Sequence, residues 1–118
     1  MVVRTERGWA GHFICSNRCR FRRNTLLMLD DVRVVVSTVG LLELKGKIES
    51  IGADSRYYET MAFHALLDER YWDADVSRQV EFNSPWAIDV IDVDDKANEM
   101  HEAVVDELIC RLEAGEKL

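Results

Sequence analysis

Val32-Arg33-Val34-Val35-Val36-Ser37-Thr38-Val39 is the densest β-branched stretch of the chain and predicts a strand, because side chains branched at Cβ suit an extended backbone. Upstream, Cys19 to Leu29 reads as another strand, separated from it by Asp30-Asp31. Gly11 to Cys15 predicts a further short strand, with the turn-forming Ser16-Asn17-Arg18 making a hairpin into Cys19. Downstream, Gly40 and Lys45-Gly46-Lys47 bracket Leu41, Leu42 and Leu44, which either extend the strand or form a short helical turn.

Arg56 to Leu67 fits two periods. A helix would align Tyr58, Met61, Ala62, Ala65 and Leu66, whereas a strand would place Tyr57, Met61 and Phe63 on one face with Glu59. The strand is preferred because Asp68-Glu69-Arg70 is a compact polar break and Tyr71-Trp72-Asp73-Ala74-Asp75-Val76 reads as a returning hairpin arm. Gln79 to Phe82 continues that arm toward Ser84-Pro85, where proline ends or edges the sheet. From Asp95 to about Ala114, Met100, Val104, Val105, Leu108, Ile109 and Leu112 recur every three or four residues, an apolar stripe wide enough to cover a sheet. Asp92, Asp94 and Asp95 stand at its start, where they are expected to cap free N–H groups and meet the positive end of the helix dipole. Together these elements predict one α+β domain over residues 1–118, an antiparallel meandering sheet of about five strands with one C-terminal amphipathic helix packed across it.

Composition agrees with a single domain. The chain has 118 residues, 47% of them hydrophobic, with one Pro and six Gly, which excludes low-complexity and collagen-like architectures. Its uncharged runs fall well short of the ~20 apolar residues that cross a bilayer, so no membrane partner is expected. Arg4, Glu6 and Arg7 stand where the apolar part of a signal peptide would begin, so secretion is not expected. Three cysteines, Cys15, Cys19 and Cys110, are too few for a disulfide-stapled secreted domain and suit a reducing compartment.

Charge is divided unevenly. Residues 1–60 carry ten Lys/Arg against seven Asp/Glu, net +3, and residues 61–118 carry five against fifteen, net −10. An acidic chain of net charge −7 is a poor ligand for phosphates, so nucleic acid is disfavoured as a direct partner. Arg18, Arg20 and Arg22 alternate along one predicted strand, but the acidic half offers them internal partners. Asp73, Asp75, Asp89, Asp92, Asp94 and Asp95 are the candidate partner-binding residues, suited to a basic surface on another protein.

Chemical motifs are sparse. His12, Cys15 and Cys19 form H-x2-C-x3-C, three metal-ligand types without an evident fourth, so they are weak metal candidates beside the reading that they simply pack or pair as thiols. Asp73 and Asp75, two apart on a strand, project to one face, which reads first as a solvated face balanced by arginines on a neighbouring strand; if register brings His64 near, the pair would instead suit a divalent cation. No nucleophile elbow, phosphate-binding glycine loop or H-E-x-x-H occurs, and no cofactor is expected.

Arg7-Gly8-Trp9-Ala10-Gly11-His12-Phe13-Ile14-Cys15, Cys19-Arg20-Phe21-Arg22-Arg23-Asn24-Thr25-Leu26-Leu27, Tyr57-Tyr58-Glu59-Thr60-Met61 and Ala97-Asn98-Glu99-Met100-His101-Glu102 resemble a family of small proteins encoded by phages and prophages, and the similarity spans most of the chain. That family carries no established activity and hence no catalytic residues to transfer. The resemblance implies an accessory role in the host cytoplasm. By analogy of context, it points to small inhibitors of host defence, which bind nucleic-acid-handling CRISPR-type effectors. The resulting expectation is a non-enzymatic protein that engages a basic host surface. The alternative is a small metal-binding or redox factor built on His12, Cys15 and Cys19 or on Asp73 and Asp75.

Overall fold

The computed structural model describes residues 1–7, 11–13, 15–52, 55–68 and 71–118, with only the backbone described at Asp68 and Tyr71. The protein is α+β. Its strands are β1 (Val3–Arg7), β2 (Cys19–Leu29), β3 (Val32–Leu44), β4 (Lys47–Glu49), β5 (Tyr58–Asp68), β6 (Tyr71–Val80) and β7 (Ala87–Ile88), and its helix is α1 (Asp94–Glu113). Among the described residues these seven strands form one antiparallel sheet in the order β1-β2-β3-β5-β6. β4 pairs with β3 and β7 pairs with β5.

β3 is central and covered on both faces. Every residue from Val34 to Leu42 is buried, which explains a continuous apolar run in place of strict alternation. Register lines up the side facing α1 in rows: Leu27 with Val34 and His64, Thr25 with Val36 and Ala62, Arg23 with Thr38 and Thr60, and Phe21 with Gly40 and Tyr58. Val104, Val105, Leu108 and Leu112 pack against Leu27, Val34, Val36 and Ala62, while Ala97 and Met100 pack against Phe21 and Tyr58. Gly40 is required here: a Cβ at this position would stand 2.2 Å from the Tyr58 ring. Leu41 follows with φ 55° and joins Phe21, Tyr58, Ala97 and Met100 in the core under the helix.

The strand reading of residues 56–67 holds as β5, and Leu41, Leu42 and Leu44 extend β3. Other expectations need correction. Among the described residues Gly11 to Cys15 does not form a strand (Ile14 lies outside them), and Ser16–Arg18 is a single 3₁₀ turn. The Ser16 hydroxyl donates to the Phe13 carbonyl at 2.6 Å and accepts from the Phe13 N–H at 2.9 Å, curling this segment over the sheet. The strand that pairs with β2 is instead β1, an exposed edge whose polar sequence hides it. The polar Glu69-Arg70 break lies outside the described residues.

The start of α1 also differs from expectation. Its N-cap residue is Val93, and no side chain caps it. The Tyr58 hydroxyl takes that place: it accepts from the Val93 N–H at 3.0 Å and donates to Asp94 Oδ1 at 2.7 Å. At the other end Gly115, at φ 80°, donates to the Leu112 carbonyl and Glu116 to that of Arg111, which is a Schellman stop.

Candidate partner-binding surface

The sheet separates the acidic residues into two groups. Asp73 pairs in register with Leu66, whereas Asp89, Asp92, Asp94 and Asp95 gather where β7 leads into α1, beside the Tyr58 end of β5. Eight residue steps along β5 from Tyr58 to Leu66 put them roughly 26 Å apart at about 3.3 Å per step.

Asp73 and Asp75 are occupied locally. Asp73 Oδ1 accepts from the Ala74 N–H at 2.8 Å, and Asp75 Oδ1 accepts from the Ser77 hydroxyl at 2.6 Å and the Ser77 N–H at 3.1 Å. The Ser77 hydrogen bonds hold the Asp75 carboxyl below its ordinary range. Pairing of β6 with β5 is interrupted between Ala74 and Gln79, so residues 75–78 bulge from the edge. His64 turns its Nε2 to the Leu118 carbonyl oxygen, at 3.0 Å, and does not complete a site with the two aspartates.

The carboxylates of the C-terminal half fall into two further sets. Glu102 on α1 accepts from Arg4 at 2.9 Å and lies 3.0 Å from Arg23, which ties the helix to β1 and β2. The Arg4 hydrogen bond, aided by Arg23, holds its carboxyl down at about 2 despite some burial. Burial would raise Glu107, but hydrogen bonds from the Ser84 hydroxyl and the Asn83 and Ser84 N–H groups outweigh it and lower its pKa. Glu116 pairs with Arg111 at 3.0 Å. By contrast, among the described residues no cation comes within ion-pair distance of Asp89, Asp92 or Asp95, and Asp94 meets only the Tyr58 hydroxyl.

Between these free charges lie exposed apolar side chains that sequence reasoning missed. Trp86, Val90 and Ile91 keep 45%, 48% and 46% of their surface in water. They share one ten-residue segment with Asp89, Asp92, Asp94 and Asp95, while Leu66, Leu67 and Val76 are also exposed, Leu66 in register with Asp73. The signal was present in Trp86-Ala87-Ile88-Asp89-Val90-Ile91-Asp92, where apolar residues and aspartates interleave without a period that either a long strand or a helix would satisfy.

Cys15 packs against the cluster that holds Cys19, but His12 does not join them in a ligand set. His12 Nδ1 meets Ser37 Oγ and Nε2 meets Glu59 Oε1, both at 2.9 Å, so both ring nitrogens are engaged away from the thiols. Cys19 packs with Val39, Leu42 and Ile51, and burial pushes its thiol up to about 11. Among the described residues the three cysteines are free thiols, and no group of three or more His, Cys, Asp or Glu side chains is placed to hold a metal. Arg20 pairs with Glu43 at 2.5 Å, while Arg18 and Arg22 lie exposed. Among the described residues no helix is long and apolar enough to cross a membrane. No protein-family model matches the chain, and neither a curated protein nor a solved structure matches it.

Proposed function

We propose that this is a non-enzymatic binding protein whose segment from Trp86 to Asp95 docks on a basic surface of another protein. The observation that carries the reading is the coincidence, in one segment, of three half-exposed apolar side chains with Asp89, Asp92 and Asp95, which among the described residues have no cation within ion-pair distance. Apolar anchors supply contact area and carboxylates supply attraction and orientation, the two components of a specific transient interface. In the phage setting that the resemblance implies, the partner is a host protein of the cytoplasm that handles nucleic acid through a basic channel.

Capture from host lysate tests this with three baits: the native chain, an Asp89→Asn/Asp92→Asn/Asp95→Asn variant, and a Trp86→Ala variant. The expected result is one basic protein retained by the native chain and lost from both variants while each keeps its native circular dichroism. Equal retention by all three would remove this surface from the binding role.

A further inference from the structure

Beside Trp86, along β5 between its pairings with β6 and β7, a groove of about 480 Å³ is lined by Arg56, Glu59, Met61, Gln79, Glu81 and Trp86, with Thr60 and Phe82. Its interior charges are already partly matched. Arg56 Nε lies 3.2 Å from Glu59 Oε2, and its guanidinium carbon sits 4.9 Å from the Trp86 ring centre. Glu59 in turn meets His12. The groove therefore contains, within the molecule, one guanidinium held between a carboxylate and an indole face, an arrangement stabilised by ion pairing and by the ring quadrupole together.

Glu81 has no such partner. It is exposed at the groove, and among the described residues no cation lies within ion-pair distance of its carboxylate. Met61 supplies an adaptable apolar lining, Gln79 an amide oxygen able to accept, and Trp86 an exposed aromatic wall. This set matches a long side chain with an apolar stem and a cationic head. Asp89, which lines a neighbouring hollow with Arg56 and Trp86, extends the negative potential toward the helix start.

We propose that the groove is a subsite for an arginine or lysine side chain of the partner protein, its stem along Met61 and Trp86 and its head at Glu81 and Gln79. This deepens the reading above, on which it rests, by naming the chemistry of the partner residue. A phosphate-bearing ligand is the opposite case, since Glu81 would repel it.

The test uses the full chain and small probes whose binding needs no identified partner. N-acetyl-arginine amide and N-acetyl-lysine amide are titrated to roughly 10 mM, the range in which a single side chain binds, and followed by amide and indole NMR shifts. N-acetyl-citrulline amide serves as the uncharged control. Saturable shifts confined to Met61, Gln79, Glu81 and Trp86 are expected, with citrulline and Glu81→Gln each weakening the response about fivefold, the loss of one partly exposed ion pair. Because Glu81 is exposed, Glu81→Gln tests the groove without disturbing the core, and Trp86→Ala is expected to weaken binding as well. No saturable shift, or equal binding of citrulline, overturns the proposal. An Asp89→Asn/Asp92→Asn/Asp95→Asn variant that loses the captured protein but keeps the arginine titration leaves the groove standing as a separate site. A captured protein that binds Glu81→Gln undiminished overturns the groove alone.

Discussion

At the scale of single residues, His101 links the helix to the sheet. Its side chain is wholly buried on α1, with Nε2 2.7 Å from Thr25 Oγ1 and Nδ1 2.7 Å from Thr38 Oγ1. Thr25 also meets Glu6, and Thr38 meets Thr60 at 2.6 Å. The carboxylate of Glu6 can only accept, so Thr25 donates to it and accepts from Nε2–H; Nδ1 is then the bare nitrogen, accepting from Thr38. Burial, followed by the nearby Arg23 charge, lowers the His101 pKa from 6.5 to about 4. The unfolded chain therefore binds a proton that the folded one refuses as pH falls from 6.5 toward 4, and stability is lost across that window. Urea melts are expected to show about 2–3 kcal/mol less stability from this group at about pH 4.5 than at about pH 7, at 1.36 kcal/mol per unit. His101→Gln should be less stable at neutral pH yet lose most of that slope. An unchanged slope in the variant would assign the pH dependence to the carboxylates instead.

At the scale of elements, α1 and the central strands form the main core and the edges adapt to it. Leu108 is fully buried against Leu27, Val34 and Val36, whereas Ile109 only borders that cluster. Leu108→Ala is expected to cost about 2–5 kcal/mol through lost burial and the cavity left behind. Ile109→Ala should cost clearly less, because solvent already reaches part of its side chain. Paired denaturant melts check this, and equal losses would contradict the packing order. Periodicity alone treats the two residues alike, since both fall on the apolar stripe; the angle at which the helix settles on the sheet distinguishes them.

For the molecule as a whole, charge is distributed by function of place. Arg4 and Arg23 bind Glu6 and Glu102, and Arg111 binds Glu107 and Glu116, whereas among the described residues Asp89, Asp92 and Asp95 have no cation within ion-pair distance. Once a captured partner is in hand, stopped-flow association at low and moderate ionic strength should show Asp89→Asn/Asp92→Asn/Asp95→Asn associating more slowly and with a weaker salt dependence. An association rate equal to that of the native chain at low salt would leave these carboxylates as solvated charges. Folding should be indifferent to chelator, since the His12 ring is engaged by Ser37 and Glu59 and Cys19 is packed in the core. Circular dichroism that collapses with EDTA, together with stoichiometric zinc in the purified protein, would reverse that conclusion.

By itself the sequence determined the elements whose pattern is strong: the β-branched centre of β3, the partner strand β2, the β5 and β6 arms, the stripe of α1 and hence an α+β fold. It did not disclose β1, β4 or β7, because short or solvent-facing edge strands are stabilised by backbone pairing with a neighbour and carry little hydrophobic signal of their own. Of the candidate surface, the aspartates were legible as a cluster of charge. Their hydrogen-bond partners were not, because Asp73 and Asp75 accept from neighbouring N–H and hydroxyl groups and Asp94 from a tyrosine thirty-six residues away in the chain. The same holds for His12 and His101: a histidine's partners are set by register between strands and by where the helix lands, distances that only the folded chain defines.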